Sequence, residues 1–278
     1  MFPAILFGGV LLALYLIIRY VKKRDKIRFE TVYLVYVPCG DLPSQEVLMD
    51  RMVAKNPYNP GGRTIIGSRE GLLFTDIRLY ISTAEREKSS LLFRPDLTED
   101  NFSFSAEALS ALSDSHKVAI VRYVLDGPAE DYRHLTFLPH MAAALSDLCG
   151  GIAIADVTQR KLYSKSEFES YLRQHVALEK REAHVRLEVL PASGDHRIAS
   201  FGLRKIGLPD FTTSHLSSDS LTMCQAVCEQ FLDACWESRM ILSDFEMDFF
   251  GTTMMVIPGD QASGFLHVRI GKKTPIPA

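Results

Sequence analysis

The first charged side chain in this 278-residue chain is Arg19, and the stretch from Phe2 to Ile18 is apolar almost throughout. A helix rising about 1.5 Å per residue carries Phe2 to Val21 over roughly 30 Å, the thickness of a bilayer's hydrocarbon core. The run therefore predicts one uncleaved transmembrane anchor over residues 1–21. A cleaved signal peptide would open with a basic region, hold a shorter apolar centre and end at a small-residue site, and this run has none of these. A buried core helix is the other reading, and the basic cluster directly after the run speaks against it. Tyr15 and Tyr20 suit the interfacial belt, and the stem of Arg19 can snorkel.

Residues 22–29 form a basic juxtamembrane segment. Arg19, Lys22, Lys23, Arg24, Lys26 and Arg28 face only Asp25, and such flanks stay on the cytoplasmic side. The expectation is a single-pass protein of a plasma or bacterial inner membrane, N-terminus outside, with the bulk of the chain in the cytoplasm. Ala4 with Gly8, and Gly9 with Ala13, sit four apart and would let two such helices approach as a homodimer.

A composition of 47% hydrophobic and 23% charged residues supports a packed core and excludes disorder. The formal charge of −3 is uneven, because the bases concentrate before residue 29 and leave the remainder acidic. That balance excludes a basic nucleic-acid footprint. The five cysteines form no CxxC or framework spacing, as in a reducing compartment.

After the anchor, strands alternate with helices. Residues 32–37 and 117–125 read as strands, 152–157 as another, and 72–82 alternates as a half-buried strand. Helices are expected from Asp41 to about Ala54, over 105–112 and over 138–149. Ser164 with Glu167 is a capping box for a helix reaching about Gln174. The polar stretch 176–182 divides a first half, 30–175, from a second, 183–272, with a tail at 273–278. In the second half, strands are expected over 186–190, 198–203, 245–257 and 265–270, with a long helix over 221–240. The fold class is α+β, a spanning helix followed by mixed sheets with helices. His116-Lys117 and His196-Arg197 each open a strand, with His134 and His215 in later loops, so the halves are candidates for related copies.

Several groups invite chemistry. Asp244, Glu246 and Asp248 alternate with Phe245, Met247 and Phe249, which places three carboxylates on one strand face. They are candidate ligands for Mg²⁺ or Ca²⁺, although same-face residues nearly 7 Å apart, about twice the rise per residue, equally describe a solvated face. Asp126 and Asp156 follow or close apolar strands, where open sheets place ligand crevices, and are candidate catalytic groups with His196. The turn Asp126-Gly127-Pro128 also accounts for Asp126 without chemistry. Cys224, Cys228 and Cys235 share a helical stripe with Leu221, Phe231 and Leu232, as core residues or as a redox pair. The loop 61–68 lacks the Lys-Ser/Thr ending of a P-loop, and no HExxH, GxGxxG or GxSxG occurs.

The most distinctive phrase is Asp195 to Phe211, in which Gly202-Leu203-Arg204-Lys205-Ile206-Gly207-Leu208-Pro209-Asp210 ends a strand before a long helix. With 116–121, it resembles phrases of uncharacterised bacterial domains of unknown function, and the resemblance implies no activity. Arg204 and Lys205 are candidate anion contacts, or simply part of a structural turn. The expected function is a membrane-tethered cytoplasmic domain that binds or regulates a protein partner, with no cofactor. The alternative is a metal-dependent or acid/base hydrolase working through strand-end carboxylates.

Overall fold

Strand β1 (Phe29–Val37) reads FETVYLVYV, apolar on both faces, and it takes a central position that buries both. It pairs antiparallel with β3 (Lys117–Leu125) on one side and β4 (Ala153–Asp156) on the other. With β2 (Leu79–Glu85) and β5 (Lys161–Ser164) they form a five-stranded antiparallel sheet in the order β2-β3-β1-β4-β5. The computed structural model from which this is read describes residues 28–38, 40–54, 77–86, 93–95, 102–174, 180–192, 195–243, 245–249, 252–262 and 265–272.

Period two sorts the first sheet into faces. Tyr33, Val35 and Val37 join Ala119, Val121 and Ile154 in the main core, which is covered by helices α1 (Gln45–Ala54), α3 (Arg133–Cys149) and α4 (Lys165–Gln174). Val32, Leu34 and Tyr36 point the other way, where Ala108 and Leu112 of α2 (Ala106–Leu112) close a smaller core. The capping box forms as its spacing predicts: Ser164 N–H donates to Glu167 Oε2 at 2.7 Å, and Glu167 N–H to Ser164 Oγ at 3.3 Å. Helix α3 begins five residues before the expected Leu138 and carries Pro139 inside it. Asp131 makes that start possible by accepting from the Arg133 N–H at 3.1 Å and from its guanidinium at 2.6 Å.

The second half adds a short helix, α5 (Arg181–His184), and a six-stranded mixed sheet. β6 (Arg186–Ala192) and β7 (Asp195–Phe201) form a hairpin, and β8 (Asp210–Thr213) joins β7. Helix α6 (Ser218–Ser238) then crosses to the far edge, from which β9 (Phe245–Phe249), β10 (Thr252–Ala262) and β11 (Phe265–Lys272) return until β11 lies parallel to β8. α6 buries Cys224, Val227, Cys228, Phe231, Leu232 and Cys235 in the main core. The cysteine stripe is thus packing, and burial pushes the Cys235 thiol up to about 11.

Two expectations need correction. The fold is α+β, but among the described residues no helix is long and apolar enough to cross a membrane. The longest, α6, has the length, yet it carries Asp219, Glu229, Asp233 and Glu237, and each carboxylate would be expensive in hydrocarbon. The run 1–21, with Ala4, Gly8, Gly9 and Ala13, lies outside the described residues, as do 22–27, the loop 61–68 and the tail 273–278. Nor are the two halves copies. The first sheet is wholly antiparallel, the second contains a parallel pair, and His134 lies within a helix whereas His215 follows a strand.

One apolar cluster runs through both halves, and one buried turn is central to its crossing. The 3₁₀ turn Leu203–Ile206 lodges against β1 with Leu203 and Ile206 fully buried, and Ile206 C=O accepts from Ala129 N–H at 2.8 Å. The turn fits because its flanks lack side chains. At Gly202 (φ 123°) a Cβ would stand 2.0 Å from the His184 carbonyl oxygen, and at Gly207 (φ 77°) 1.9 Å from that of Gly127. Both positions also need a backbone conformation that L-residues avoid. Gly202→Ala and Gly207→Ala should each cost more than about 3 kcal/mol of unfolding free energy. Gly127→Ala, which meets nothing within 4 Å, should stay within about 1 kcal/mol. Urea denaturation of the three variants checks the contrast.

Candidate functional site

The turn delivers Lys205 into the interior, where its residue exposure is 0%. An ammonium out of water needs an acceptor for each hydrogen, and three are at hand. Nζ donates to Asp156 Oδ2, to Tyr33 Oη at 3.3 Å and to His184 Nδ1 at 3.3 Å. The third bond places the His184 proton on Nε2. Each acceptor arrives for a local reason. Asp156 ends β4 opposite Tyr33 of β1, and its Oδ1 accepts from Gln159 N–H at 2.9 Å to form the following turn. His184 ends α5 and stacks on Trp236. Burial, then Asp156, drives the Tyr33 phenol well above its ordinary pKa, while burial lowers that of Lys205 against the opposing pull of Asp156.

Two further buried groups brace the turn. Asp210 Oδ1 accepts from Gly202 N–H at 2.8 Å and Leu203 N–H at 2.9 Å, yet burial still pushes this carboxyl up to about 7. His134 Nε2 lies 2.6 Å from the Lys205 carbonyl oxygen, so the ring donates there, and burial holds its pKa down to about 4.

Sequence reading singled out Asp156 as an acid/base candidate and Lys205 as an anion contact, and the structure joins them: the anion that Lys205 meets is Asp156. Arg204, the residue before it, is exposed. Asp126 does not converge with Asp156, because β1 lies between β3 and β4. Asp126 sits beside Arg28, 3.4 Å away at the surface, while Asp156 is opposite Tyr33, five positions along β1 or roughly 17 Å. His196 is half-buried and exchanges backbone hydrogen bonds with Leu216. Glu246 and Asp248 are exposed on the edge strand β9, where Asp248 accepts from Thr253 Oγ1 at 2.9 Å. Asp244 lies outside the described residues, among which no cluster of three metal-ligating side chains occurs.

An open site lies elsewhere, in a cavity of about 360 Å³ between α1, α3 and α4. Met52, Ala143, Ile154, Phe168 and Leu172 form its apolar part, and Arg51, His140, Asp147, Lys165, Glu169 and Arg173 its polar part. Asp147 pairs with Arg51 through Oδ2 and with Lys165 through Oδ1, the latter at 3.0 Å. Burial, then Arg51, holds His140 down to about 4, so it is uncharged at neutral pH. These residues escaped the sequence reading, but a signal existed. Asp147 in the last turn of α3 and Lys165 at the start of α4 both oppose their helix dipoles, which marks charges held by a partner.

A second, larger cleft is lined by Ser103, Ser105, Ser166, Ser170, Lys161 and Glu167 among others. Its hydroxyls serve the fold: Ser105 caps α2, Ser166 donates to Glu107 at 2.9 Å, and Ser170 accepts from Arg173 at 2.9 Å. Comparison of the chain with protein-family models, curated proteins and solved structures finds no match.

Replacing Lys205 alone leaves Asp156 charged in a dry site. Lys205→Met should therefore cost about 3–5 kcal/mol. In the double variant Lys205→Met/Asp156→Asn the charge is gone, and unfolding in urea should show at least about 1 kcal/mol recovered relative to the single change.

The buried histidines and Asp210 set a pH response of known sign. His134 and His140 are neutral in the fold down to about 4 and protonate from 6.5 in the unfolded chain, so their stability is present above 6.5 and lost as pH falls. Asp210 acts oppositely: its contribution is present below 3.8 and fades as pH rises through about 7. Near pH 5 two protons on the unfolded chain oppose one on the fold, and between pH 6.5 and 5.0 the net loss from these groups averages roughly 1 kcal/mol per unit of falling pH. Urea midpoints at pH 6.5 and 5.0 should show this slope, and His140→Gln should largely flatten it.

Proposed function

We propose that the described part of this chain is a binding or regulatory domain rather than a catalyst. One observation carries the reading. The groups best suited to acid/base work, Asp156, Lys205, His184 and Tyr33, are buried and bonded to one another, and a substrate would have to break the core to reach them. A working acid or base must come within hydrogen-bond reach of its substrate. The strand-end carboxylates do not supply a second set, because Asp126 and Asp156 stand far apart. The cavity between α1, α3 and α4 combines an apolar floor with convergent charges and has the size and lining of a ligand pocket.

The test is a thermal melt of the full chain against a panel of small carboxylates, phosphate esters, sugars, nucleosides and p-nitrophenyl esters, with proton NMR of each compound afterwards. The expected result is a compound that raises the melting temperature as RT ln(1 + [L]/Kd) requires and is recovered unchanged. Conversion of any panel member, lost in Asp156→Asn, would overturn the reading in favour of a hydrolase.

A further inference from the structure

The charges of the cavity between α1, α3 and α4 do not balance. Asp147 is one carboxylate receiving two cations, Arg51 and Lys165, and its side chain is only 19% exposed. Glu169 acts on Arg51 and also answers Arg173 on its own helix, 3.8 Å away at the surface, so among the described lining residues two carboxylates, Asp147 and Glu169, face three cations, Arg51, Lys165 and Arg173. His140 adds no charge at neutral pH. Among the described lining residues one positive charge is left over, and the cations most withdrawn from water are an Arg51 side chain 17% exposed and a Lys165 side chain 38% exposed. Beside them lie the apolar side chains of Met52, Ile154, Phe168 and Leu172. A half-desolvated surplus cation is best satisfied by a charge-assisted hydrogen bond from an anion, and an apolar floor of this extent calls for an apolar body on the same molecule.

We infer that this cavity binds a small amphipathic carboxylate, its head on Arg51 and Lys165 and its apolar body over Met52, Ile154, Phe168 and Leu172. The inference deepens the reading of the chain as a binding domain and rests on it. The head carries a single charge for two reasons. The surplus is one, and a second negative charge would be brought toward Glu169, which the site leaves exposed. A phosphate monoester, at about −1.5 to −2 near neutral pH, exceeds what the cavity compensates. The cavity volume of about 360 Å³ limits the ligand to the small end of the usual pocket range.

Octanoate is the probe, titrated calorimetrically into the full chain at pH 7. Acetate has the same head without the body, and 1-octanol the body without the charge. Octanoate should bind at least ten-fold more tightly than either, and Lys165→Met, a half-exposed position whose retained fold is checked by circular dichroism, should weaken it at least ten-fold. Equal binding of 1-octanol, unchanged affinity in Lys165→Met, or no binding of octanoate would each overturn the assignment. The two readings fail separately. If octanoate does not bind while another panel compound binds and is recovered unchanged, the carboxylate site falls and the binding domain stands. If octanoate binds and is recovered chemically altered, the site stands and the non-catalytic reading falls.

Discussion

A lysine ammonium removed wholly from water is the constraint around which this molecule is arranged. The desolvation of such a group amounts to several kcal/mol, which only close and complete hydrogen bonding offsets. Lys205 obtains it from three different parts of the chain: Tyr33 in the centre of the first sheet, Asp156 at the end of a neighbouring strand and His184 in the helix that opens the second half. No one of these elements can shift alone without leaving a buried charge or a buried acceptor unmatched. The same requirement explains the glycines beside the turn, since only a backbone without Cβ atoms can bring Lys205 so far inward between the carbonyls of His184 and Gly127.

Other contacts reinforce that seam. Tyr132 Oη donates to the Trp236 carbonyl at 2.7 Å while the two rings stack, and the guanidinium of Arg239 lies over the Tyr132 ring at 4.4 Å. Across the same boundary, Arg186 donates to the carbonyls of Gln159 and Arg160, and the Arg160 guanidinium covers Phe201. The backbone carbonyls of one half are thus satisfied by side chains of the other. The pocket between α1, α3 and α4 lies within the first half alone, so its lining shares no residue with these contacts between the halves.

Local chemistry made much of the fold legible in the sequence. The strand 117–125, the capping box at Ser164 and the helix ending at Gln174 follow from periodicity and capping, both short-range properties. What escaped was non-local. Nothing within a few residues of Lys205 reveals that its partner is Asp156, and alternation alone cannot tell a turn facing solvent from one driven into the core. The short strands β5 and β8 were missed because KLYS and DFTT are half or more polar and, unlike the apolar run around β4, show no strand pattern. The pocket was hidden for a related reason, since its charges come from three separate helices, and only the reversed dipole placement of Asp147 and Lys165 hinted at it.

The separation of Lys205 from its counter-charge has a consequence for synthesis. All five strands of the first sheet precede residue 165, whereas Lys205 follows Asp156 by 49 residues. At roughly 5–20 residues per second, translation leaves several seconds in which the first sheet can assemble on the ribosome without its lysine. During that interval Asp156 and the hydroxyl of Tyr33 must stay hydrated, so the nascent first half is open on the face of β1 that the turn later covers. Lys205 reaches the site last in the order of synthesis, and its bonds to Tyr33, Asp156 and His184 tie the two halves together.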